Sequence, residues 1–317
     1  MNLFNLPLLV LIDVFKMMEF RERFLISLMS KRAKRMLTLT SVPIHLSCNL
    51  LGDLYIRAGT DTQPNQFHVA DEESDLIIGG EAMRINFYPD GLTLEETSPK
   101  NQLLLISHLL ETYRKPAVSV KFYYPTQPVM VWEFMRMVNQ RRVCVKSFSC
   151  LISWDSSEFI PKILDECTEV TDFIQFNAML RNDFFYTPPR PFKATEFRVN
   201  VTSNWFNPEG FMSCRRIILQ VGERSKYTAQ WWNAFIQKWI DSDVPLEHLS
   251  CNHNGLSDFQ SMIKGLSQPG IEQMTDGVVV KRRDRSEFVI SSTLDRFFIM
   301  TKEEHTEHSQ KHHLVNV

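Results

Sequence analysis

An α+β chain is what the sequence predicts, and three observations carry it. The first 40 residues hold apolar side chains at helical spacing and contain no glycine. Residues 41–98 change to short alternating or β-branched runs punctuated by glycine and proline. From 99 to 302, helical and strand patterns alternate before a polar tail at 303–317. Four segments follow: a helical 1–40, a β-rich 41–98, an α/β 99–302 and the tail.

At 317 residues the chain is long enough to bury a core unaided, and two domains are expected at that length. Hydrophobic residues make up 44 % and charged residues 23 %, the balance of a soluble globular protein. The formal net charge of −2 supplies no global field for nucleic acid or an anionic membrane. Cys48, Cys144, Cys150, Cys167, Cys214 and Cys251 form no C-x-x-C, which favours reduced thiols in the cytoplasm or nucleus over a disulfide framework or zinc module.

Within the helical segment, "NLPLLVLIDVFKMM" (5–18) is apolar around most of a helix circumference, with Asp13 and Lys16 as a narrow polar edge. Export and membrane insertion are not expected: nothing basic precedes it, charged residues follow it, and Leu8 to Ile12 is too short to span a bilayer. The sequon Asn200-Val201-Thr202 is then a chance match. Pro7 suits a first helical turn, a break is expected at "MEFRER", and "RFLISLMSKRAKRML" continues the helical pattern, giving two or three short helices.

The β-rich segment is expected to form a small antiparallel sheet from "VPIHLSC", "DLYIRAG", "QFHVAD", "DLIIGG" and "MRINFYPDGLTLE". Beyond Pro99, helices are expected at "KNQLLLISHLLETY", "VWEFMRMVNQ", "SEFIPKILDEC" and "AQWWNAFIQKWI". Strands are expected at "AVSVKFY", "VCVKSFSC", "VTDFIQF", "EFRVNV", "RRIILQV" and "LEHLSC", with "DGVVVKRR", "EFVISST" and "RFFIMTK" closing the chain. Their spacing suits either an irregular leucine-rich-repeat-like solenoid or an ordinary α/β layer.

Two basic runs, "KRAKR" at 31–35 and "KRRDR" at 281–285, allow an alternative reading as a nuclear or nucleic-acid-binding protein. Neither is interleaved with stacking aromatics, so nucleic acid is not the expected partner. Trp232, Phe235, Ile236 and Trp239 share one helical face and are expected in the core, leaving Trp231 as a candidate anchor for a partner. His305, His308, His312 and His313 lie in a tail expected to fray, so no metal and no cofactor are expected. No nucleotide-loop, nucleophile-elbow or zinc-protease signature occurs, and the chain reads as non-catalytic.

"FNLPLLVLIDVFKMMEFRERFLISLMSKRAKRML" resembles an F-box in its Leu6-Pro7 pair, its Val10, Val14 and Phe15 row, and its Ser27 to Arg35 stretch. "WWNAFIQKWIDSDVPLEHLSC" (231–251), followed by "DGVVVKRRDRSEFVI" and "RFFIM", resembles the type 2 F-box associated domain of the large nematode F-box families. The resemblance implies a substrate-recognition adaptor of an SCF-type cullin-RING ubiquitin ligase, serving ubiquitin-dependent degradation. It implies a Skp-type linker protein docked on the F-box, through it a cullin, and an unknown protein substrate held by the C-terminal domain. The expected linker contacts are Leu6, Pro7, Val10, Leu11, Val14 and Phe15, with Leu25, Leu28, Ser30, Lys31 and Arg32.

Overall fold

The computed structural model describes residues 6–40, 43–59, 72–95, 98–152, 158–178, 184–200, 205–221, 227–253, 259–264, 266, 272–273, 277–293 and 296–307. The expected strand "QFHVAD", most of the sequon and the last three histidines of the tail lie outside these residues. The chain divides into two compact units, the first holding residues 1–153 and 158–171, the second 154–157 and 172–317.

Unit 1 begins with three ten-residue helices, α1 (Leu8–Met17), α2 (Phe20–Met29) and α3 (Lys31–Thr40). The first break falls at Met18-Glu19, where the Glu22 carboxylate accepts from the Glu19 N–H at 2.9 Å in a capping box. A second break divides "RFLISLMSKRAKRML" at Ser30, whose backbone is extended and whose Oγ accepts from Ala33 N–H at 3.1 Å, so that three short helices form. Serine is a good helix cap and a mediocre helix interior, so the chain turns there.

Strands β1 (His45–Leu51), β2 (Asp53–Ala58), β3 (Glu72–Ile78), β4 (Glu81–Tyr88) and β5 (Gly91–Leu94) form the expected antiparallel ladder. Gly52, at φ +83°, makes the tight β1–β2 turn that an L side chain would strain. Helix α4 (Pro99–Thr112) then leads to β6 (Ala117–Phe122), α5 (Pro128–Gln140), β7 (Cys144–Ile152) and α6 (Ile160–Glu166). β6 pairs in parallel with β1, from His45↔Ala117 to Leu50↔Phe122, and β7 pairs in parallel with β6. The order within this unit is β7-β6-β1-β2-β5-β4-β3.

That pairing joins two of the expected segments in one sheet. The β-rich residues do not end at 98 as a separate body, because β1 is hydrogen-bonded to a strand of the α/β segment; one sheet serves both. Residues 1–40 fall in the same compact unit as that sheet.

Unit 2 carries β8 (Phe173–Ala178), β9 (Glu196–Val199), β10 (Arg216–Val221) and β11 (His248–His253) as parallel neighbours. Helix α7 (Ala229–Ile240) lies between β10 and β11 in the chain, and α8 (Phe259–Ile263) follows β11. β12 (Glu272–Gln273), β13 (Gly277–Lys281), β14 (Glu287–Ser292) and β15 (Arg296–Thr301) complete it, β15 pairing antiparallel with β11. Neither α8 nor β12 was expected from the sequence; at five and two residues they are too short to show a period. After the N-terminal helices the described residues form a mixed β-sheet and α/β region.

Candidate partner-binding surface

Helix α1 divides its apolar residues between two faces. Leu11 and Phe15, one turn apart, are 0 % and 2 % exposed and pack with Leu37 of α3, and Leu6, Met18, Ile26 and Met36 close around them. Leu11 and Phe15 thus belong to the private core rather than to the outer surface, and Leu6 leans on that core. Val10, Val14 and Met17 follow i, i+4 and i+7 spacing on a different face, with Val10 44 % and Met17 86 % exposed and Val14 half-buried. Pro7, Leu8 and Leu9 are exposed as well, and so is Met29 at the end of α2.

Of the remaining expected contacts, Leu25 and Leu28 are half-buried, whereas Ser30, Lys31 and Arg32 are exposed at the start of α3. Sequence reasoning missed Leu8, Leu9, Met17 and Met29. The signal was present: once Leu11 and Phe15 are assigned inward, the i+4 and i+7 relatives of Val10 must point elsewhere.

Helices α2 and α3 are fastened to α4. Phe24 packs between Phe87 at 5.8 Å and the His108 ring at 5.8 Å, and Phe20 stacks on Tyr113 at 6.2 Å. Ser27 Oγ, which donates to the Phe24 carbonyl at 2.5 Å, lies 2.7 Å from His108 Nε2. Lys34 donates to Glu111 at 2.7 Å, and Thr38 Oγ1 lies 3.1 Å from the carbonyls of Glu111 and Thr112. Burial, then the charge of Lys34, depresses the His108 pKa to about 4, so its imidazole is neutral at physiological pH. Burial pushes the Tyr113 phenol up to about 12.

The two basic runs differ in what they leave free. In 31–35, Lys34 is paired with Glu111 while Lys31, Arg32 and Arg35 are exposed. In 281–285, Arg282 is buried, lies over Trp239 at 5.2 Å and donates to the carbonyls of Ser242 and Val244 at 2.8 and 2.7 Å. Its role is to close the α7–β11 connection.

Trp232, Phe235, Ile236 and Trp239 are buried, and Trp239 Nε1 donates to the Leu246 carbonyl at 3.0 Å. Trp231 is half-buried, stacked on Phe235 at 5.6 Å and 4.4 Å from Tyr227, so only part of its indole is open to a partner. The start of the tail does not fray as expected: 302–307 form a helical turn, and Glu304 accepts from Arg216 at 3.0 Å and lies 3.1 Å from His248 Nδ1. A charge partner on a neighbouring strand fixes a segment whose composition alone reads as loose.

All the cysteines are free; burial raises the pKa of Cys48, Cys214 and Cys251 to about 12. Among the described residues no group of three or more metal-ligating side chains is assembled, and no helix is long and apolar enough to cross a membrane.

Residues 3–44 match the F-box domain. No curated protein and no solved structure matches the chain. The chain therefore carries an N-terminal segment that matches an F-box domain, consistent with a general role as a ubiquitin-ligase adaptor.

Proposed function

We propose that this chain is the substrate-recognition adaptor of an SCF-type cullin-RING ubiquitin ligase, binding a Skp-type linker through its F-box and a target protein through the rest of the chain. The observation that carries it is the F-box at 3–44, whose first helix leaves Pro7, Leu8, Leu9, Val10 and Met17 open to solvent. An exposed aliphatic patch, in a segment that also exposes Lys31 and Arg32, has the composition of an interface core with a charged edge. The resemblance of 231–251 and the strands after it to a type 2 F-box associated domain, as in nematode F-box proteins, supports assigning the C-terminal part to target binding. Within it, Trp231 offers its open edge as an anchor.

Nucleic-acid binding through 31–35 and 281–285 draws less support, since Lys34 and Arg282 are engaged within the protein.

Co-purification with a Skp-type linker tests the proposal. Val10→Asp with Met17→Asp changes only outward positions and is expected to abolish capture while circular dichroism stays unchanged. Undiminished capture by that folded variant overturns the linker assignment.

A further inference from the structure

A cleft of about 440 Å³ opens between α4 and α5 of unit 1, lined by Lys100, Leu103, Leu104, Ser107, Glu133 and Met137. Leu103, Leu104 and Met137 are half-buried: each gives part of its surface to the helix packing and leaves the rest to water. The charges around them are mostly neutralised at home. Lys100 Nζ lies 2.5 Å from Glu81, and Arg141 donates to Ser107 Oγ at 2.8 Å while sitting 3.5 Å from Glu111. Glu133 is the exception, an exposed carboxylate with no ion-pair partner among the described residues.

We infer that this cleft is a docking groove for a target, additional to the surface around Trp231, and that its occupant is a short helical segment presenting an aliphatic side chain with a lysine or arginine about one turn away. The inference rests on the adaptor reading for the existence of a target, and on the cleft itself for the chemistry. A furrow between two helices suits a third helix laid along it, anchored by apolar residues at i and i+4. The floor supplies the apolar contact, and the one uncompensated charge sets the sign of the partner. An acidic segment would bring a second carboxylate against Glu133, whereas a basic one supplies the missing counter-ion.

The position of the groove adds to the argument. Ser107 Oγ donates to Glu111 Oε1 at 3.3 Å, and Lys34 donates to Glu111 Oε2 at 2.7 Å. A hydrogen-bonded chain thus runs from the groove wall to helix α3 of the F-box, so a segment seated there is held by the same helix that holds the F-box.

Fluorescence anisotropy on the full chain tests this with two synthetic helical peptides of about four turns, identical in their leucines but carrying lysine or glutamate at the charged position. The lysine peptide is expected to bind about tenfold more tightly than the glutamate peptide. Glu133→Lys, a change at an exposed site, is expected to invert that order, and Leu104→Asp to abolish both. The methyl resonance of Met137 is expected to shift on titration. Equal affinities, a preference that survives Glu133→Lys, or an unmoved Met137 methyl overturns the inference. So does a chain that self-associates and is dissociated by the peptide, which makes the cleft an interface between copies. Linker capture is measured on the same preparation: its loss with the peptide preference intact removes the adaptor reading and leaves the groove chemistry standing.

Discussion

Ser27 and His108 lie 81 residues apart in the chain and 2.7 Å apart in space, so that a helix of the F-box and the first helix after the β-ladder share one hydrogen bond. With Phe24 edge-on to the same imidazole and Lys34 paired to Glu111, this contact makes the F-box part of unit 1.

Acid is expected to loosen that contact. Burial holds the folded pKa of His108 near 4 against an ordinary 6.5, with Lys34 adding to the depression and Glu111 opposing it. Between those values the unfolded chain takes up a proton that the folded chain refuses, so the His108 contribution is complete above pH 6.5 and is lost as pH falls towards 4. Melting temperature measured across that window should fall more gently in His108→Gln than in the parent chain. Identical slopes would mean that His108 is not the titrating group.

Removing residues 1–40 is expected to do more than delete a docking helix. Phe87 and Tyr113 lose the Phe24 and Phe20 rings packed on them, which uncovers a contiguous apolar surface. The truncated chain should bind a hydrophobic dye and aggregate, unlike Val10→Asp with Met17→Asp. Partner searches are therefore better made with point variants than with the truncation.

Substitutions on the two faces of α1 should separate stability from binding. Leu11→Ala removes a fully buried side chain and is expected to cost about 2–5 kcal/mol. Leu9→Ala, at a site 77 % exposed, should fall within about 0.5 kcal/mol of the parent while weakening linker capture. Thermal denaturation alongside co-purification checks both halves.

In unit 2, Arg282→Met is expected to destabilise by about 2–3 kcal/mol, because the carbonyls of Ser242 and Val244 lose charged donors. Arg282→Lys should restore only part of it, since both carbonyls accept from one guanidinium nitrogen, which an ammonium can imitate, but the planar group over Trp239 is lost. Trp232→Ala should cost about 3–5 kcal/mol and Trp231→Ala about 1 kcal/mol. Denaturant titrations followed by tryptophan fluorescence would show whether the order holds.

Local sequence pattern encodes a good deal of this fold and much less of its contacts. Helix α7 coincides with "AQWWNAFIQKWI" to the residue because its apolar period is strong; the structure adds the cap, Thr228 Oγ1 accepting from Trp231 N–H at 3.2 Å. The break at Ser30 was not read, since capping serine and mid-helix serine look alike until the chain turns. Arg282 reads as one of four cations in a run, and only packing on Trp239 shows it to be an interior group. The parallel β1–β6 register, which joins the expected β-rich and α/β segments, leaves no mark on either strand alone.

Helix α4 also fixes a scale. Leu104, at the cleft, and His108, at the F-box contact, are one turn apart on it, about 6 Å at the ordinary rise of an α-helix. Anything gripped at Leu104 sits at the short end of a stiff lever whose fulcrum is the F-box. Under the proposed adaptor role, its reach towards an enzyme brought by the F-box would be governed by the direction of that helix, with no tether along it to take up an error of placement.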